Sequence, residues 1–362
     1  MKKMLPFVLL FFSGEGQAQT ENKEPQPPAI SFSAYLETYF QYTFNKPGDN
    51  NRPVFVYSHN RHNEFNLNLG FVKAAYSADR VRANLALAAG TYMNANYAAE
   101  PGVLKNIFEA NAGVKLSQRK ELWLDAGIFS SHIGFESAIS KDCPTLTRSI
   151  LADNSPYYEA GAKLTYLSPN KKWTISALAL NGWQRIQRVA GNPMISTGTQ
   201  VQFRPTENTV INYSSFFGTD KPDSARLFRT FHNLYTQINL SENWGLILGL
   251  DIGTEDRSVN GSGVNTWFAP VGILKYSLND QWSIAGRYEY YADENGVIIS
   301  STQPGGFKIA GLSFNVDHKP ADNMLMRLEF RHLQGQEPQF IRDNQAVKSE
   351  SFLTASMAIS FE

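Results

Sequence analysis

Ser351-Phe352-Leu353-Thr354-Ala355-Ser356-Met357-Ala358-Ile359-Ser360-Phe361, SFLTASMAISF, runs to the penultimate residue of the chain. Every second residue from Leu353 to Phe361 is apolar. Between them stand Thr354, Ser356, Ala358 and Ser360, all small or hydroxylic. A β-strand sends neighbouring side chains to opposite faces, so this segment has one apolar face and one quiet face. Any half-exposed strand can look like this. What it means depends on whether the rest of the chain supplies its neighbours.

The chain has 362 residues, with Lys+Arg 33 balanced by Asp+Glu 33. A nucleic-acid binder would carry a basic excess, so that class is excluded as a partner. The N-terminus reads as a secretory signal over 1–18. Lys2 and Lys3 are its charged region, Leu5 to Phe12 its apolar run and Gly16-Gln17-Ala18 its small-x-small cleavage site. The apolar run is too short to span a bilayer. Residues 19–29, rich in Gln, Glu and Pro, lack the material for a core and read as a flexible periplasmic tail. Cys143 is the single cysteine, so no internal disulfide holds the exported chain together.

From Ile30 the alternation keeps returning. Phe32, Leu36, Phe40 and Tyr42 oppose Ser31, Glu37, Gln41 and Thr43. Val81, Ala83, Leu85 and Leu87 oppose Arg82, Asn84 and Ala86. Leu122, Leu124, Ala126 and Ile128 oppose Trp123, Asp125 and Gly127. Comparable runs continue to 323–331, where Met326, Leu328 and Phe330 face away from Arg327, Glu329 and Arg331. With the last strand they number about sixteen, within about two, and an even count suits a transmembrane barrel.

The connections sort themselves. Those at 77–80, 117–120, 167–171, 204–208, 241–243, 277–281 and 318–322 are short and built from turn formers. Those at 45–62, 93–105, 130–156, 183–196, 218–228, 254–265, 294–306 and 333–349 are long. Strict short–long alternation is the signature of an all-β transmembrane antiparallel barrel over 30–362, with tight periplasmic turns and long external loops. A soluble sandwich or propeller has no reason to sort its loops this way. Tyr76, Tyr166, Trp173, Trp244, Tyr276 and Trp282 flank the short turns, where an interfacial aromatic girdle belongs.

Residues 127–183 carry a more specific pattern: Gly127-Ile128-Phe129-Ser130-Ser131-His132-Ile133-Gly134-Phe135-Glu136, then Thr145-Leu146-Thr147-Arg148-Ser149, then Asn154-Ser155-Pro156-Tyr157-Tyr158-Glu159-Ala160-Gly161, and Asn181-Gly182-Trp183. With Tyr35 to Asn45 and His62-Asn63-Glu64-Phe65-Asn66-Leu67, this chain resembles the putative β-barrel porin-2 (OmpL-like) family over most of its mature length. The resemblance implies a porin of the Gram-negative outer membrane. It carries no catalytic motif to transfer, and Cys143 is atypical for the pattern.

A polar-lined pore selects by diameter and by the charges at its narrowest point. In general porins the third external loop folds inward and sets that point. The corresponding loop here, 130–156, carries Glu136, Lys141, Asp142, Arg148 and Asp153. Inward-facing candidates on the wall are Arg82, Glu109, Lys115, Arg287, Glu289, Arg327 and Arg331. Acids facing bases across a pore would orient dipolar solutes; the same charges could also simply hydrate a wide lumen. The large inward residues Tyr35, Tyr39, Trp123 and Tyr291 could equally fill a lumen or line it for sugars.

The sequence therefore reads as a passive diffusion channel for small hydrophilic solutes and not as an enzyme. A closed-lumen barrel that binds partners through its external loops is the alternative. A barrel enzyme would need a Ser–His pair with an orienting group near one interface, and no spacing singles out His59, His62 or His132 for that role. No metal constellation, phosphate loop or cofactor motif is present. The expected partners are small hydrophilic solutes, outer-membrane lipid and the assembly machinery that reads the C-terminal strand, with a homo-oligomer as an alternative to a monomer. The last strand should pair antiparallel with the one starting near Ile30, its Leu353–Phe361 face toward lipid.

Overall fold

The computed structural model describes residues 28–259 and 261–361. The signal segment expected at 1–18, and the tail up to residue 27, lie outside the described residues.

Sixteen strands close into one antiparallel barrel. They are β1 (Ala29–Thr43), β2 (Phe65–Ser77), β3 (Val81–Ala89), β4 (Ile107–Lys115), β5 (Glu121–Ser130), β6 (Tyr158–Leu167), β7 (Trp173–Leu180), β8 (Ser196–Thr206), β9 (Thr209–Gly218), β10 (Arg229–Asn239), β11 (Trp244–Asp256), β12 (Val264–Ser277), β13 (Trp282–Asp293), β14 (Phe307–Ala321), β15 (Met324–Gly335) and β18 (Ser349–Phe361). Between the last two, β16 (Phe340–Arg342) and β17 (Gln345–Val347) form a separate hairpin in the final long loop. The alternating pattern gives no sign of this hairpin, nor of the short helices α1 (Thr91–Asn96) and α2 (Ile150–Asp153).

Each strand pairs with its chain neighbour, and β18 closes the ring against β1 with Ala34 opposite Phe361 and Thr43 opposite Phe352. The terminal strand is thus the seam, in the antiparallel sense its neighbours require. Closure leaves no unpaired edge, the one way a sheet can satisfy its backbone polar groups in lipid. Leu353, Met357 and Phe361 face outward at 39%, 42% and 54% exposure, while Thr354 and Ser356 point into the barrel. The other strands repeat this division: Leu85, Leu234, Leu312 and Phe330 are exposed outside, and Gln41, Asn212, Asn315 and Glu329 are buried inside.

The girdle sits at the short-turn end. Trp244 packs on Tyr276 with ring centroids 4.6 Å apart, and Trp282 stacks on His318 at 4.1 Å. Farther round the barrel, Trp173 of β7 stacks on Phe203 of β8 at 4.2 Å.

Candidate functional site

The segment between Ser130 and Tyr158 lies inside the barrel. A chain segment in a lumen from which water is largely excluded must pair its backbone N–H and C=O groups. The wall at β13–β15 supplies the partners. Their inward positions alternate acid and base: Arg287 and Glu289 on β13, Asp317 on β14, and Arg327, Glu329 and Arg331 on β15. The Thr147 N–H donates to Glu329 Oε2 at 2.5 Å, the Ile150 N–H to Glu289 Oε2 at 2.6 Å and the Leu146 N–H to Asn315 Oδ1 at 3.0 Å. In the other sense, Arg287 donates to the Thr147 carbonyl at 2.6 Å, Arg327 to the Ser140 and Cys143 carbonyls at 2.6 and 2.9 Å, and Arg331 to the Arg148 carbonyl at 2.9 Å. The same side chains neutralise one another, with Arg331–Glu289 at 2.6 Å, Arg327–Asp317 at 2.8 Å and Arg287–Glu329 at 3.0 Å.

Within the loop, Arg148 turns back on its own backbone, donating to the Ser137 and Leu146 carbonyls at 2.6 Å each. Glu136 accepts from the Ser149 N–H at 3.1 Å and from the Ser149 hydroxyl, and lies 3.8 Å from Arg287. Burial raises the Glu136 carboxyl, partly offset by Arg287. Burial likewise pushes Asp153 up to about 7, against the pull of Arg331 and Arg148, and the Cys143 thiol up to about 11.

Other loops meet the inward one. Ser58 Oγ and the Tyr57 N–H donate to Asp153 at 3.1 and 3.3 Å. On β1, the Tyr35 hydroxyl lies 3.1 Å from Ser140 Oγ, and Glu37 accepts from the Ser140 hydroxyl and contacts His59 at 3.3 Å. Arg52 pairs with Glu350 at 2.9 Å and covers the Phe352 ring at 3.5 Å. Beyond α1, Tyr97 stacks on Tyr158 at 3.9 Å, and Glu100 accepts from the Tyr158 hydroxyl at 3.0 Å. Phe55, Ile150, Leu151, Val271, Phe307 and Phe340 belong to one buried apolar cluster that ties these loops to the wall.

The strands β2–β6 are different. Here several inward side chains, Lys73, Arg82 and Glu109 among them, keep contact with solvent. Arg82 holds Asp125 through Nε and Nη2 at 2.7 and 2.5 Å. The pair reaches across Gly113 of the intervening β4, where any Cβ would stand 2.2 Å from Asp125 Oδ1. Lys73 meets Glu109 at 2.6 Å and Lys115 meets Glu121 at 2.5 Å. Trp123 lies under the Arg82 guanidinium at 4.3 Å, and the Lys163 ammonium over the Phe129 ring at 4.7 Å.

The sequence-derived candidates therefore fall into two groups. Glu136, Arg148, Asp153, Arg287, Glu289, Arg327 and Arg331 are buried together where loop and wall touch. The three arginines of β13 and β15 grip the loop directly and do not face it across a gap. Arg82, Glu109 and Lys115 sit on the solvent-facing side, and Asp142 is exposed on the loop beside Lys141. Tyr35, Tyr39 and Tyr291 are buried. Sequence reading did not single out Lys73, Asp125, Lys163 or Asp317 as site residues. Asp125, Lys163 and Asp317 stand on polar positions of the alternation, which nothing in the sequence ranks above one another, and Lys73 shares the parity of the apolar Leu69 and Phe71.

Two of the histidines have structural partners. His132 bridges Glu159 at 2.8 Å and the Ser215 carbonyl at 2.9 Å, and His62 accepts from the Thr43 N–H at 2.9 Å. A Ser–His contact does occur on the outer face, between His332 Nδ1 and Ser351 Oγ at 2.8 Å. No carboxylate orients that ring among the described residues, which also hold no cluster of three metal-ligating side chains.

A closed sixteen-stranded barrel with an outward apolar band, an aromatic girdle and a loop folded into a polar lumen defines an outer-membrane barrel of the porin class. The chain belongs to the putative β-barrel porin-2, OmpL-like family, whose model matches residues 29–361. No curated protein matches it by sequence. Among solved structures, the outer-membrane channel DcaP of Acinetobacter baumannii is similar over 92% of this chain and 97% of its own, at TM-score 0.62 and 9% identity. The anion-selective porin from Comamonas acidovorans is similar over 92% of this chain and 100% of its own, at TM-score 0.61 and 10% identity. OmpT of Vibrio cholerae is similar over 92% and 98%, at TM-score 0.60 and 10% identity. At these identities the likeness is one of fold.

Proposed function

We propose that this porin is a passive diffusion channel for small hydrophilic solutes, set in the outer membrane of a Gram-negative bacterium, with the 130–156 loop as its constriction. One observation carries the reading: the loop is bonded to β13–β15 through its backbone, which draws it to one side of the lumen and leaves charged side chains of β2–β6 in contact with water. A wall-anchored loop narrows a pore without needing to move. The chain is exported by its N-terminal segment, assembled through the β18 strand and solvated by lipid on its outer face. It performs no catalysis. As with many barrels of this class, assembly into a homo-oligomer is compatible with its apolar wall.

The closed-lumen alternative draws support from the apolar cluster joining Phe55, Ile150, Leu151 and Phe307 in the outer half of the barrel. Reconstitution into planar lipid bilayers separates the two. Stepwise conductance from a folded, heat-modifiable barrel supports the channel. Its absence favours a loop-binding protein.

A further inference from the structure

We infer that the solvent-facing strip of β2–β5 makes the channel prefer small anions, through the cationic tips of Lys73 and Arg82. This rests on the channel reading above.

Placement decides the sign of the field, because the chain as a whole is neutral. Cross-strand register puts Arg82, Gly113, Asp125 and Lys163 on one row across β3, β4, β5 and β6. Within that row the charges lie at different depths. The Arg82 side chain is 37% exposed and that of Asp125 only 7%. The Lys73–Glu109 pair repeats the order, at 28% and 15%. In both pairs the base reaches water and the acid stands behind it.

Coulomb energy falls with distance, so a passing ion feels the nearer member of such a pair more strongly, and low-dielectric walls focus that difference. Arg82 binds Asp125 through Nε and Nη2, which leaves Nη1 outside the fork. Trp123 against the face of the guanidinium fixes its plane. Gly113 is what lets acid and base close over β4 without a side chain between them.

The charges of β13–β15 and of the inward loop do not reverse this pattern. Arg287, Arg327 and Arg331 are buried and committed to loop carbonyls and carboxylates. Lys141 and Asp142 on the loop are nearly equal in exposure, 25% and 28%. On β4–β5 the Lys115–Glu121 pair has its acid outermost, 15% against 51%, but it lies beside the 117–120 turn at the short-turn mouth, below the strip.

The test is the reversal potential of the full mature chain in planar bilayers under a KCl gradient. Wild type should favour chloride over potassium by up to about fourfold, the ratio an unpaired unit charge at about 10 Å gives in water. Arg82→Gln should lower that ratio to one or below, since it leaves Asp125 as the nearest charge. Asp125→Asn, which keeps the shape of the site, should raise it. A channel that conducts but is unselective or potassium-selective, or whose ratio ignores both variants, overturns this inference and leaves the channel reading intact. Absence of conductance overturns both.

Discussion

Glu289 Oε2 accepts a hydrogen bond from the Ile150 N–H at 2.6 Å, while Oε1 of the same carboxylate holds Arg331 at 2.6 Å. A single buried carboxylate on β13 thus fastens the inward loop and neutralises the base that fastens it on β15. Breaking a buried pair by removing one partner costs about 3–5 kcal/mol. Glu289→Ala should therefore free the loop without opening the barrel, whose closure rests on strand pairing. The expected result is a barrel that still shifts on heating in gel electrophoresis but is newly cut by protease between residues 139 and 153. A loop that stays resistant would show that Glu289 is not what holds it.

Acidity should tighten the contact between the 45–62 and 130–156 loops. Asp153, on α2, accepts from Ser58 and Tyr57 in a site that burial pushes up from its ordinary 3.8 to about 7, with Arg331 and Arg148 as the nearby opposing charges. A carboxyl whose folded value is raised stabilises the contact fully below its unfolded value, and that stabilisation is lost as pH rises through the folded one. Docking is therefore strongest near pH 4 and weakens toward pH 7. Open-channel current should fall between pH 8 and pH 5 in the wild type and vary less in Asp153→Asn. Equal pH dependence in both would remove Asp153 from the explanation.

Cys143 should be inert. Its thiol is buried, pushed up to about 11 by that burial, and its carbonyl is held by Arg327 at 2.9 Å. The thiolate is the reactive species, so neither access nor ionisation favours attack. A maleimide at pH 7 should label the denatured chain and leave the folded barrel unlabelled. Labelling of the folded barrel would show that the loop leaves its place.

The seam makes a register claim. Thr38 stands opposite Met357. Directly opposed residues of an antiparallel pair have Cα atoms about 4.5–5.5 Å apart, within reach of a disulfide. In a Cys143→Ser background, Thr38→Cys should cross-link with Met357→Cys and fail to cross-link with Ala355→Cys. The reverse result would mean a seam displaced by two residues.

These predictions lean unequally on what the sequence shows. The barrel was legible because its two signals are local: alternation repeats every two residues, and turn formers cluster at alternate connections. Even the seam follows, since a ring leaves the Ile30 and Phe361 strands only each other. The contacts inside are another matter. Arg287 and Thr147 bond across 140 positions of chain, and no pattern in either segment announces the other. The depth ordering of Arg82 and Asp125 depends on Gly113, which in sequence is only one more small residue on a polar face. The β16–β17 hairpin and α1 are too short to impose a period on their loops.

The central claim is that the 130–156 loop, held on β13–β15, sets the width of the conducting path. Single-channel conductance of wild type against a chain lacking residues 139–153 tests it most directly. The account predicts larger conductance steps from the shortened chain, in a barrel that remains heat-modifiable. Unchanged conductance from the shortened chain would contradict it.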